Sequence, residues 1–151
     1  MKKIIVSLTL AAAILTTGTI HAAENNPSTV VKEAFSKEFA QIKDVKWDVI
    51  NKDGNGIYQA NFMFNNESLQ AFFTEEGEFL GTTRQITKSQ LPILVTRELD
   101  KKYADAEVRT VYEHSMTDGV AYYITLATNK GTMVVKAAGN GELTVRQRTK
   151  Q

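Results

Sequence analysis

Reactive side chains are few in this chain of 151 residues: it has two histidines, no cysteine, and carboxylates scattered along its length. His21 lies in an apolar N-terminal stretch with the marks of an export signal, so one histidine, His114, is left for the folded part. Without cysteine there is no thiolate nucleophile, no thiolate metal site and no disulfide framework. With one histidine, the usual nucleophile–base pairs and histidine-based zinc sites are out of reach. Glu75, Glu76 and Glu78 cluster in a turn-like segment, where solvated carboxylates are the default and paired acid–base catalysis would need desolvation. Asn51-x-Asp53-x-Asn55-Gly56 opens like a calcium loop, but its twelfth position is Phe62 where a bidentate Glu is required. Asp-Gly and Asn-Gly pairs read better as a hairpin turn. Arg146, Arg148 and Lys150 fall on alternate positions near the C-terminus, a pattern that suits an acidic partner and equally suits protection of an edge strand. The sequence therefore predicts no catalytic residues, no metal and no cofactor, and the chain reads as a protein that is not an enzyme.

The elements that hold these residues begin after residue 22. Lys2 and Lys3 precede the apolar run Ile4–Leu15, and small residues follow to Ala22-Ala23, the layout of a cleaved signal peptide. Cleavage is expected after Ala22 or Ala23, leaving residues 23–151 as a single domain with no transmembrane segment and a periplasmic address. Loss of Lys2 and Lys3 leaves 16 basic against 17 acidic residues, a net charge of −1. Such a mixed, near-neutral surface offers no footprint for nucleic acid.

Val30, Val31, Ala34, Phe35, Phe39 and Ile42 recur at helical spacing, with Asn26 or Ser28 placed to cap. Strand-like alternation follows in Val45-Lys46-Trp47-Asp48-Val49, Tyr58–Phe64, Leu69–Phe73 and Phe79–Arg84, joined by short turns that imply hairpins. The order then recurs 64 residues on: Val31/Val95, Tyr58/Tyr122, Gly77/Gly141 and Arg84/Arg148 coincide, and only Val45/Val108 needs a local shift. Thr87-Lys88-Ser89-Gln90 has capping-box spacing ahead of the second helical stripe, Leu94, Val95, Leu99 and Tyr103. The expected fold is therefore α+β. It would be a tandem duplication of a helix plus four-stranded antiparallel meander, repeats 27–86 and 87–151, in one extended sheet with both helices on one face.

Val45-Lys46-Trp47, Tyr58-x-Ala60-x-Phe62, Ala71-x-Phe73-x3-Gly77-x-Phe79-Leu80 and Leu91-Pro92-x2-Val95 together resemble the PepSY-like family, small exported proteins of Bacteroidetes described as β-lactamase-inhibitor-like. The likeness spans almost all of the mature chain. It implies two such units sharing one sheet and a periplasmic location, but no established activity, since the inhibitor label follows the fold. Thr110 aligns near Trp47, so any role of that tryptophan belongs to the first half.

Function is thus expected to be binding or inhibition of another periplasmic protein or peptide through the open face of the sheet, with a homodimer as the other occupant. An envelope accessory protein for a small or peptidic ligand is the alternative, and a hydrolase the remote one. Strand alternation assigns Ile50, Met63, Phe72, Val111, Tyr123 and Val134 to that face as an exposed apolar patch, the usual texture of a binding surface.

Overall fold

The computed structural model describes residues 26–52 and 55–150. The expected signal peptide and its cleavage point lie outside the described residues. In chain order the elements are α1 (Thr29–Glu38), β1 (Lys46–Lys52), β2 (Asn55–Phe64), β3 (Glu67–Thr74) and β4 (Phe79–Ile86). A 3-10 turn (Lys88–Gln90), α2 (Ile93–Lys102), β5 (Glu107–Met116), β6 (Gly119–Thr128), β7 (Gly131–Ala138) and β8 (Leu143–Lys150) follow. All eight strands form one antiparallel sheet in sequence order.

The expectation of α+β architecture built from two helix-plus-four-strand units is corrected by this sheet. The fold is largely β. Each α-helix is ten residues, about 15 Å long, against a sheet of eight strands that is roughly 34 Å across. The ladder is continuous from β4 to β5, in keeping with the single extended sheet that was expected. β4 and β5 pair from Gly81↔Met116 to Ile86↔Val111, as every other neighbouring pair does. Backbone hydrogen bonding across that seam makes one continuous sheet, which the helices only partly cover.

Local chemistry explains the elements. Ser28 Oγ accepts from the Val31 N–H at 3.4 Å and caps α1, while the Phe39 N–H donates to Phe35 O at 2.8 Å to close its last turn. The capping box at Thr87 closes only the 3-10 turn, with the Thr87 N–H donating to Gln90 Oε1 at 2.8 Å. α2 starts later, after Pro92, whose ring pre-sets the entry. Asn65 and Asn66 both take positive φ in the two-residue turn between Phe64 and Glu67, as a tight hairpin of this twist demands. Asn51↔Gly56 and Lys52↔Asn55 pair as hairpin strands, so the calcium-like segment continues a ladder, with 53–54 outside the described residues.

Two turns lock the sheet to the helices. Gly77 (φ 81°) and Gly141 (φ 91°) donate back to Thr74 O and Ala138 O at 3.0 and 2.9 Å. A Cβ on Gly77 would fall 3.1 Å from Val30 O, and one on Gly141 3.0 Å from Leu94 O, so each turn abuts the first turn of a helix. Only glycine takes both the left-handed conformation and the close approach without strain.

Two apolar clusters fill the helix side. Val31 and Phe35 of α1 pack on Ala60, Phe62, Ala71 and Phe73, with Phe35 edge-on to Trp47 at 5.4 Å and to Phe62 at 5.2 Å between ring centroids. Val95 and Leu99 of α2 pack on Ile124, Leu126, Val135 and Ala137, an aliphatic counterpart. The cross-strand row Leu69↔Arg84↔Glu113↔Tyr122 links the clusters and puts both helices on one side. In that row Arg84 bridges the strands, its Nη1 2.9 Å from Glu67 and its Nε 2.8 Å from Glu113. These hydrogen bonds, to Glu113 first and then Glu67, push the guanidinium pKa further up and keep it charged.

Candidate functional site

Three cross-strand rows organise the helix-free face. Asn61↔Gln70↔Thr83↔His114↔Ala121 crosses its middle. Gln59↔Phe72↔Gly81↔Met116 lies to one side, and Gln85↔Tyr112↔Tyr123↔Lys136 to the other. Although no helix among the described residues lies on this face, its centre is not open. Phe72 is 0% exposed, and Thr83, His114 and Tyr123 are all buried. Phe72 belongs to neither helix-side cluster. It pairs across the strands with Gly81, where a Cβ would fall 2.6 Å from Met116 Sδ on the next strand. His114 and Tyr123 stack with ring centroids 4.4 Å apart.

Polar side chains knit the surface around that buried layer. Gln59 Nε2 donates to Asn61 Oδ1 at 2.7 Å, and Asn61 Nδ2 donates to Asp48 Oδ2 at 2.9 Å. Thr110 and Thr125 hydroxyls bond at 2.9 Å further along the sheet. Hydrogen bonds of this kind hold the amide and hydroxyl groups in place, so little side-chain entropy remains to be lost.

The six residues expected on this face divide. Ile50, Met63, Phe72, Tyr123 and Val134 are on it, through the rows Ile50↔Ile57, Met63↔Ser68, Gln59↔Phe72, Tyr112↔Tyr123 and Thr125↔Val134. Val111 is not: it pairs with Ile124 and is part of the core under α2, 2% exposed. The cause is a β-bulge between Val108 and Thr110, where Arg109 is the extra residue. One extra residue inverts the in–out phase of the rest of β5, so Val111, and not Thr110, shares the face of Trp47. The same residue accounts for the one place where the 64-residue spacing slips.

The expected exposed apolar patch is likewise corrected. Of the five residues on the face, only Met63, at 59%, is strongly exposed; Ile50 and Val134 are half-buried and Phe72 and Tyr123 are buried. A lysine at Phe72 would be a buried charge rather than a probe of the surface. Sequence alternation says which side a residue faces. It does not say whether the neighbouring rows close over it.

His114 is a packing residue at the centre of this face. Burial, and then the nearby Lys136 charge, lower its pKa to about 4, so the ring is neutral at pH 7. Thr83 stands across from it, yet Thr83 Oγ1 has no hydrogen-bond partner. The two do not form a nucleophile–base pair, which requires a bond between them. Burial also raises the Tyr123 phenol, with Arg146 lowering it in part. Among the described residues no cluster of three His, Asp or Glu could hold a metal ion. A shallow depression lies away from this face, on the outer side of α1 between Thr29 and Lys37. No helix among the described residues is long and apolar enough to cross a membrane.

A single antiparallel sheet in sequence order, with two short helices on one face among the described residues, is the architectural class of this chain, and solved bacterial proteins share it. A DUF2874 family protein from Bacteroides ovatus matches with a TM-score of 0.71 at 20% identity, over 80% of this chain and 87% of that one. A BLIP-like protein from Bacteroides fragilis matches with a TM-score of 0.69 at 17% identity, over 83% and 89%. A Bacteroides eggerthii protein provisionally described as periplasmic matches with a TM-score of 0.69 at 16% identity, over 83% and 89%. No family model and no curated protein matches the chain. At these identities the likeness is one of fold. It agrees with the β-lactamase-inhibitor-like side of the resemblance read from the sequence, and the PepSY-like label gains nothing from it.

Proposed function

We propose that this protein is a non-enzymatic periplasmic binding module that holds another protein or peptide by contact through the helix-free face of its sheet. The observation that carries the reading is the build of that face. Buried Phe72, Thr83, His114 and Tyr123 lie beside hydrogen-bonded amides and hydroxyls, with no helix on this face among the described residues. A buried layer flanked by hydrogen-bonded polar groups suits recognition by shape and hydrogen bonding better than it suits chemistry. The fold likeness to a BLIP-like protein and to one provisionally described as periplasmic supports the same reading.

Charge reversal on the face tests it. Lys136→Glu combined with Thr125→Arg changes half-exposed positions of the face, whereas Ile93→Asp changes a helix-side position that is 78% exposed. Cross-linking in native periplasm, with mass spectrometry and a measurement of mass in solution, should show a species lost with the face variant and kept with Ile93→Asp. If that species is a second copy, the solution mass halves in the face variant and the occupant is this chain itself. Equal cross-linking by all three proteins would overturn the reading.

A further inference from the structure

The sheet ends at β8, which pairs with β7 along one side only, from Gly131↔Lys150 to Ala137↔Leu143. Its outer row of backbone N–H and C=O groups has no partner strand among the described residues. From Thr144 to Lys150 every side chain but Val145 is exposed. The last three strands also differ in charge from the rest of the near-neutral chain. Residues 119–150 contain Lys130, Lys136, Arg146, Arg148 and Lys150 against a single acid, Glu142. None of the five cations is in an ion pair among the described residues. The opposite edge is unlike this: β1 carries Lys46 and Lys52 with Asp48 between them.

We propose that the open edge of β8 takes an acidic, extended polypeptide segment as a ninth strand. Backbone hydrogen bonds to the free row supply the register. Glu or Asp side chains on the added strand lie beside Arg146 and Arg148, and cross-strand pairs of opposite charge are favourable. A second copy of this chain is the wrong occupant, because pairing β8 with β8 sets these cations against themselves and β1 has no acidic excess to offer. Apart from Lys136, which lies on the helix-free face, the edge row is distinct from that face, so the proposal stands or falls independently of the function proposed above.

The probe is a synthetic peptide alternating Glu and Val, with two controls: the same peptide N-methylated on alternate backbone nitrogens, and a version with Lys for Glu. Fluorescence anisotropy at physiological salt should show saturable binding of the first peptide alone. Amide exchange should then slow on β8, the signature of added backbone pairing. Arg146→Glu with Arg148→Glu should weaken binding by roughly tenfold or more, and Arg146→Gln with Arg148→Gln, the milder pair, by less, with unchanged unfolding midpoints. Equal binding of the N-methylated peptide would show attraction without strand addition and overturn the proposal. So would no binding at all, or preferential binding to DNA or to vesicles of anionic lipid.

Discussion

His114 is the residue with the most to say about conditions. Its pKa of about 4, set by burial and then by Lys136, contrasts with about 6.5 for an unfolded histidine. Between those values the unfolded chain binds a proton that the folded chain does not, so stability rises with pH across the window. The contribution is complete above about pH 6.5 and is lost as pH falls toward 4, to the extent of about 3 kcal/mol. Urea unfolding between pH 4 and pH 7 should show a slope that shrinks by about one proton in His114→Gln. An unchanged slope would mean that the imidazole is not desolvated. Thr83 makes a second case beside it. Its hydroxyl is buried with no partner, so Thr83→Val removes an unsatisfied group at almost constant shape. The expected result is a gain of about 1 kcal/mol, read as a higher unfolding midpoint. A loss would place a hydrogen-bonding partner on that hydroxyl.

At the scale of elements, the helices are held by one or two side chains each. Phe35 and Leu99 are buried at the centres of the two helix-side clusters. Phe35→Ala should cost about 3–5 kcal/mol and Leu99→Ala about 2–5 kcal/mol in chemical denaturation, and an unmoved midpoint for either would mean that its helix does not depend on that contact. These burials were legible in the sequence, because Val31 and Phe35, or Val95 and Leu99, repeat at helical spacing. The alternation of Tyr58, Ala60 and Phe62 likewise fixed the face of β2 correctly. Two clear helical stripes weigh heavily in a sequence and suggest α+β, whereas eight strands against two ten-residue helices make the fold largely β. In the candidate site, Val111 was misplaced because a bulge is one residue of backbone with no compositional signature beyond Arg109 itself. The burial of Phe72 comes from neighbours that are near in space only once the strands pair.

For the whole molecule, the unbroken ladder predicts one cooperative unit. Trp47, the single tryptophan, reports on the α1 side through its contacts with Phe35 and Phe73, while far-ultraviolet circular dichroism reports on all eight strands. Their denaturation curves should coincide, as two-state unfolding requires; an early tryptophan transition would mean that the sheet divides at the β4–β5 seam. The sequence order of the strands has a consequence for speed and direction of folding. Every strand finds its partner in the next segment of chain, with the stretch through α2 between β4 and β5 as the longest closure. Ladders so local in sequence need little loop-closing entropy before they are rewarded, which places this sheet on the fast side for a β protein. A chain emerging residue by residue can therefore extend the sheet hairpin by hairpin, and no strand has to wait unpaired for one made much later.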